Sequence, residues 1–211
     1  MNRIAVIQKL LDKIHGKFYV EIGVDKGESF LPIQINKKVG VDPQPKFNDP
    51  RIYTMTSDDF FKSYPQKLPD QKIDVCFIDG MHTHAQALQD FNHAFEHLSE
   101  KGFIVMHDCS PPLAAAADPA NSHYPEKGWM WCGDVWKAIV HLRSTRDDLH
   151  IFVLNADYGI GVITRGKPEN RLQFTAQEIQ QMTYADLSNN RKEFLNLKNP
   201  DFFASFLQGI S

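Results

Sequence analysis

The sequence predicts an α/β domain on a mostly parallel, Rossmann-like sheet with helices on both faces. Three observations carry that prediction. Short apolar runs alternate with segments whose apolar residues recur at helical spacing, the pattern of strand–helix–strand units. The strongest runs, Ile73–Asp79 and Phe103–Met106, are apolar almost throughout, as in strands buried on both faces. The chain has 211 residues, which suits a single domain with a sizeable core.

Each element follows in order. Ile4, Ile7, Leu11 and Ile14 share a helical stripe, so residues 2–15 read as an amphipathic helix. Phe18–Ile22 reads as a buried strand that ends at Gly23. Residues 28–36 are expected to be helical, with Pro32 in the first turn. Val39–Asp42 is a second strand stopped by Pro43, and Ile52–Met55 a short third one. Ser57-Asp58-Asp59 can open a helix by accepting bonds from its unpaired N–H groups. After the Ile73–Asp79 strand, Leu88, Phe91, Phe95 and Leu98 form one helical stripe, with Gly102 as its C-terminal stop. Phe103–Met106 is the next strand. Residues 110–131 are rich in proline and read as a long loop. Asp134 can cap a helix bearing Val135, Ile139 and Leu142, and His150–Leu154 and Gly159–Thr164 are the last two strands. Residues 175–207 read as mainly helical.

Bulk properties exclude several classes. Lys plus Arg number 23 against 26 for Asp plus Glu, a net charge of −3, which disfavours phosphate-gripping nucleic-acid binders. No run of about 18 apolar residues is present, so no membrane span is expected. The N-terminus lacks the apolar stretch of a signal peptide. Cys76, Cys109 and Cys132 are too sparse for a disulfide framework, and reduced thiols point to a cytoplasmic protein.

Ligands of parallel sheets bind beyond the carboxyl ends of the strands. The first strand runs into Glu21-x-Gly23-x-x-x-Gly27-x-Ser29. The glycines permit a sharp turn and close approach of a ligand, and Glu21 can attract a cationic group. Asp42 ends the second strand, 19 residues after Gly23, where a carboxylate can bond a ribose diol. The glycine spacing is not that of G-x-G-x-x-G, so a nicotinamide dinucleotide site is disfavoured. The other strand ends carry Asp79-Gly-x-His82 and His107-Asp108.

Together these strand ends resemble the class I S-adenosylmethionine-dependent methyltransferases, and within them the macrocin- and mycinamicin-type sugar O-methyltransferases. The resemblance covers about residues 17–165. It implies a seven-stranded sheet of order 3-2-1-4-5-7-6 with strand 7 antiparallel. It implies that Gly23, Gly27 and Ser29 hold the methionine part of S-adenosylmethionine, with Glu21 near its sulfonium end. Asp42 would bind the ribose, Ser57 and Asp58 would lie near the adenine, and Asp79 would line the site. Asp79 and Asp108 match metal ligands of those relatives, and His107 is a candidate third ligand for Mg²⁺ or another divalent cation. The residue matching His107 is usually acidic there, and Cys109 stands where catechol-type relatives have an oxygen ligand. His82 matches the proposed base, with His84 a weaker candidate; a neutral imidazole can take a proton near pH 7. The implied acceptor is a small hydroxylated molecule such as a sugar or phenol. A homo-oligomer is left open.

His93-x-x-Glu96-His97 spells a metalloprotease motif, but a helical wheel turns both histidines to solvent. Cys109, Cys132 and His107 lack the spacing of a structural zinc site. Tyr124, Trp129, Met130 and Trp131, with His123, make the 110–131 loop a candidate lid or binding loop, or simply one packed onto the core. A catalytically silent module on the same fold, or an oxidoreductase with a nucleotide cofactor, are the alternative functions.

Overall fold

A computed structural model describes residues 1–121 and 131–210. The loop residues His123, Tyr124, Trp129 and Met130 lie outside the described residues. The elements are α1 (Arg3–Lys13), β1 (Phe18–Ile22), β2 (Lys37–Val41), β3 (Ile52–Tyr53), α2 (Ser57–Lys62), α3 (Tyr64–Lys67), β4 (Ile73–Ile78), α4 (His84–Glu96) and β5 (Leu98–Met106). They continue with α5 (Ala114–Ala117), α6 (Trp136–Thr145), β6 (Leu149–Leu154), β7 (Ile160–Arg165), α7 (Ala176–Gln181), α8 (Tyr184–Phe194), β8 (Leu197–Lys198) and α9 (Phe202–Gly209).

Among the described residues the strands form one sheet of order β3-β2-β1-β4-β5-β7-β6-β8. The expected order of seven strands is present, and β7 runs antiparallel to both β5 and β6. An eighth strand is added at the edge: Leu197 and Lys198 pair parallel to Val153 and Leu154. All five residues of β1 are buried, as are five of the six in β4, because helices cover both faces. Two apolar clusters fill the space on either side. One gathers Phe60, Phe91, Trp136, Ile139 and Leu187. The other gathers Leu10, Phe30, Phe152 and Phe203.

Four local expectations are corrected. Residues 28–36 form turns rather than a helix. The Lys38 ammonium reaches the carbonyls of Phe30, Leu31 and Ile33 at 2.6, 3.1 and 2.7 Å, which supplies the donors a helix would otherwise provide. Pro32 offers no N–H to compete with it. Second, α4 ends at Glu96 and Leu98 already belongs to β5, so Gly102 sits inside a strand. A Cβ on Gly102 would lie 2.7 Å from the Leu98 side chain. Third, Asp134 does not cap its own helix; Val135 precedes α6 without a side-chain cap. Asp134 instead accepts the His84 N–H at 2.6 Å, at the start of α4. Fourth, His93 and His97 do not face open solvent. His97 stacks on Tyr64 with centroids 4.1 Å apart, and His93 packs on Phe61 at 5.5 Å.

Candidate active site

The carboxyl ends of β1, β4 and β5 meet at one place. Gly23 follows β1 with φ +83°, and a Cβ there would stand 2.1 Å from the Asp79 carbonyl oxygen. Gly23 thus lets the end of β4 close onto β1; the space its side chain vacates is filled by protein. Gly27 (φ +77°) is likewise covered, by the Phe47 ring. Glu21 is fully buried and held by two hydroxyls: Tyr19 donates at 2.5 Å and Ser29 at 2.6 Å. Burial outweighs both bonds and raises the Glu21 pKa to about 7. Ser29 therefore faces Glu21 and acts through it.

Asp42 ends β2 half-buried and accepts the N–H groups of Asp25 (2.9 Å) and Gln44 (2.7 Å). These bonds fix its carboxylate at the mouth of the Gly23–Gly27 turn. Ser57 and Asp58 open α2 and face α4. Gln86 donates to Ser57, Asp58 and Asp90 at 3.4, 3.2 and 3.0 Å, and Gln89 donates to Asp58 at 2.8 Å.

Asp79, His82 and Asp108 come together. One ligand-type atom from each lies within 4.8 Å of the others. His82 Nε2 is 3.3 Å from Asp79, and His82 Nδ1 is 3.2 Å from Asp108. The Nδ1 also lies 2.7 Å from the Trp131 carbonyl, and the ring stacks on the Trp131 indole at 5.0 Å. A carbonyl only accepts, so Nδ1 carries a hydrogen and Nε2 is the site that gains or loses the proton. Burial disfavours the charged ring, but the bond from Asp79 and the charge of Asp108 prevail and raise its pKa to about 9. The expectation of an ordinary histidine at this position is thereby revised: its two carboxylate neighbours keep it protonated at neutral pH.

His107 stands behind the pair, 2% exposed. Its Nδ1 is 3.2 Å from Asp79 and 3.4 Å from Asp108, and its Nε2 is 3.5 Å from Asp157. Burial opposes its charge, yet the Asp79 charge and the bonds it donates to Asp108 and Asp157 push its pKa well up. Asp79 is correspondingly held far below the usual carboxylate range: burial works against ionisation, and the His107 charge overcomes it. Asp157 is in turn bound by Arg3 from α1, at 3.1 Å through the guanidinium and 2.9 Å through the backbone N–H. From sequence, Asp157 stood out only as part of the run Asp157–Gly161, with no role of its own, and Arg3 did not stand out. The run Asp157-Tyr158-Gly159 was the available signal, and nothing local ties it to residue 3. Gly133 is another: a Cβ there would overlap the His82 carbonyl, so the segment after Trp131 lies directly on the site.

Asp108 (φ +57°) is 1% exposed, and its carboxylate is flanked by the imidazoles of His82 at 3.2 Å and His107 at 3.4 Å. Two carboxylates converging on one point in a buried setting are suitable ligands for a hard cation. The residues present thus fit an oxygen-preferring divalent ion held by the Asp79 and Asp108 carboxylates, with His82 beside them. His107 touches the same carboxylates from the buried side. No cysteine joins this set among the described residues: the Cys109 thiol is buried and donates to the Met106 carbonyl at 3.3 Å.

Residues 20–109 match the model of a family described as a methyltransferase domain. Among solved structures, an O-methyltransferase from Bacillus cereus in complex with S-adenosylhomocysteine matches with a TM-score of 0.54 at 15% identity, over 76% of this chain and 80% of that one. The chain has a methyltransferase fold. A putative caffeoyl-CoA O-methyltransferase from Staphylococcus aureus shares that fold with a TM-score of 0.53 at 17% identity, over 79% of this chain and 85% of that one. The MycE methyltransferase of the mycinamycin pathway, in complex with Mg and S-adenosylhomocysteine, matches at 18% identity and a TM-score of 0.47, over 76% of this chain. This chain spans about half of MycE, covering 48% of its length. No curated protein sequence matches. On the methyltransferase fold, the strand ends described above occupy the ligand-binding edge of the sheet.

Proposed function

We propose that the protein is an S-adenosylmethionine-dependent O-methyltransferase acting on a small hydroxylated acceptor, a sugar or a phenol, with a divalent cation at Asp79 and Asp108. The observation that carries this reading is the convergence of Asp79, His82 and Asp108 beside the Gly23 turn, at the ends of adjacent strands of a methyltransferase fold.

The donor supplies a sulfonium, whose departure as a neutral thioether leaves the protein with positioning and proton handling. Asp42 is set to accept the two hydroxyls of a ribose, and Glu21 presents a buried carboxyl toward the sulfonium end. Bound, a divalent cation would lower the pKa of a coordinated hydroxyl. His82 takes the hydroxyl proton at Nε2, the nitrogen left open by the Nδ1 bond to Trp131. It does so only when the charge between Asp79 and Asp108 is balanced by something other than its own imidazolium. His107, paired with Asp157, keeps both carboxylates oriented from behind.

Calorimetry with S-adenosylhomocysteine tests the donor site: micromolar binding is expected, weakened at least about tenfold by Asp42→Ala through loss of two hydrogen bonds. No binding to the wild-type protein refutes the reading. EDTA is expected to abolish turnover and Mg²⁺ to restore it; full activity in EDTA removes the cation from the mechanism. His82→Ala is expected to reduce turnover at least about a hundredfold with little change in donor affinity.

A further inference from the structure

Beside the candidate active site lies a cavity of about 500 Å³ that none of the roles above uses. Its walls come from two sources. The strand ends contribute Ser110 after β5, and Asn155, Asp157 and Tyr158 after β6. Helix α8, from the C-terminal part of the chain, contributes Tyr184, Ser188 and Arg191. Tyr184 and Ser188 lie one turn apart, and Arg191 follows the non-helical Asn190 (φ −122°) at which α8 kinks.

The strand-end wall is rigid. Ser110 N–H bonds the Tyr158 carbonyl at 2.7 Å, and Cys109 N–H bonds the Gly159 carbonyl at 3.0 Å. A Cβ on Gly159 would lie 2.4 Å from the Ser110 nitrogen, so the two segments are in direct contact. Helix α8 is also fixed. A capping box of Thr183 and Asp186 opens it. The buried Arg143 guanidinium binds the carbonyls of Glu193 and Phe194 at its other end.

Arg191 is held within this frame by neutral groups. Its guanidinium donates to Ser110 Oγ at 2.7 Å and to the Tyr184 hydroxyl at 3.2 Å. Tyr184 in turn donates to the Pro112 carbonyl at 2.7 Å. Two of five N–H donors are thereby engaged, and no carboxylate pairs with the guanidinium among the described residues. The carboxylate that shares the cavity, Asp157, is already bound by Arg3 and faces His107. Arg51 and Arg146, by contrast, each pair with an aspartate at 2.6 Å. A pre-oriented, half-buried guanidinium with unused donors and no carboxylate partner is suited to recognise an oxyanion.

We infer that this cavity is the acceptor subsite, and that Arg191 selects acceptors bearing an anionic group, a carboxylate or a phosphate, beside the hydroxyl to be methylated. The cavity adjoins the reaction centre: Asp157 in its wall faces His107, and His107 faces Asp79. Its role as an acceptor site rests on the methyl-transfer reading; the oxyanion site itself does not. Specificity thus comes from α8, outside the part of the chain shared with the methyltransferase domain family.

The test is an NMR titration of the full chain at constant ionic strength with acetate, acetamide and inorganic phosphate. Saturable shifts of the Ser110, Asn155 and Ser188 amides are expected with acetate or phosphate and not with acetamide. Arg191→Gln weakens that binding at least about tenfold, whereas Arg191→Lys keeps part of it because the charge remains. Saturation by acetate alone assigns a carboxylate acceptor, and by phosphate alone a phosphorylated one. Shifts that do not saturate, equal response to acetamide, or unchanged affinity in Arg191→Gln overturn the proposal. The acetate–acetamide comparison needs no variant, so it stands even if a substitution disturbs the fold. S-adenosylhomocysteine is titrated into the same samples. Its binding without an oxyanion site sinks the subsite alone; an oxyanion site without donor binding sinks the methyl-transfer reading and leaves Arg191 an oxyanion site with no acceptor role.

Discussion

Gly23→Ala is the most exacting perturbation of this fold, because one methyl group meets backbone on the central strand pair. Gly23 has φ +83°, and the added Cβ would lie 2.1 Å from the Asp79 carbonyl oxygen, 2.5 Å from its carbon and 2.7 Å from the Gly80 Cα. The left-handed conformation alone costs a Cβ-bearing residue about 1–2 kcal/mol. Restoring an ordinary contact of 3.4 Å requires the end of β4 to retreat by roughly 1.3 Å, and such overpacking costs about 1–3 kcal/mol. The sum is about 2–5 kcal/mol, a large part of the stability of a typical domain. The same movement carries Asp79 away from His82 and His107, now 3.3 and 3.2 Å from it. Equilibrium urea denaturation is the assay, with Gly209→Ala as control, since nothing lies within 4 Å of a Cβ at Gly209. Gly23→Ala is expected to lower the midpoint strongly while Gly209→Ala leaves it within about 0.5 kcal/mol. Loss of less than about 1 kcal/mol in Gly23→Ala would refute the argument that this glycine exists to let β4 close onto β1.

Three further outcomes follow from other residues. Lys38→Met leaves the carbonyls of Phe30, Leu31 and Ile33 without their shared donor and is expected to cost about 2–4 kcal/mol in the same assay. Glu21 has a folded pKa raised to about 7 from 4.5, so the folded state holds its proton more tightly. Its contribution is fully present below pH 4.5 and is lost as pH rises through 7. Glu21→Gln, which cannot ionise, should therefore gain roughly 3 kcal/mol relative to wild type between pH 4.5 and 8; a pH-independent difference contradicts the assignment. Asp134→Ala removes the carboxylate that accepts the His84 N–H and should cost about 1 kcal/mol, read as a lower thermal midpoint.

The fold was legible in the sequence wherever a residue's environment depended on its near neighbours. Phe18–Ile22, Ile73–Ile78 and Phe103–Met106 are apolar because both faces are covered, and they appear as strands in the expected order. The short edge strand β8 had no such signature: Leu197 and Lys198 are strand only because Val153 and Leu154 lie beside them. Residues 28–36 carried a helix-compatible pattern, and a lysine on β2 decided otherwise. Among the site residues, Glu21, Asp42, Asp79, His82, His107 and Asp108 were readable as strand-end polar groups. Their pairings were not, since the Asp79–His107–Asp157–Arg3 chain joins positions up to 154 residues apart.

What the sequence determined by itself is the sheet and the identity of the polar groups along its ligand-binding edge, because strand burial and strand ends are written in local pattern. Only the tertiary structure decided the charge state of those groups and what stands opposite them. His82 is pushed toward its charged form because two carboxylates from different strands face it, and Arg191 meets Ser110 because α8 folds back across the strand ends. Electrostatics depends on distance through space, and sequence separation carries no measure of that distance.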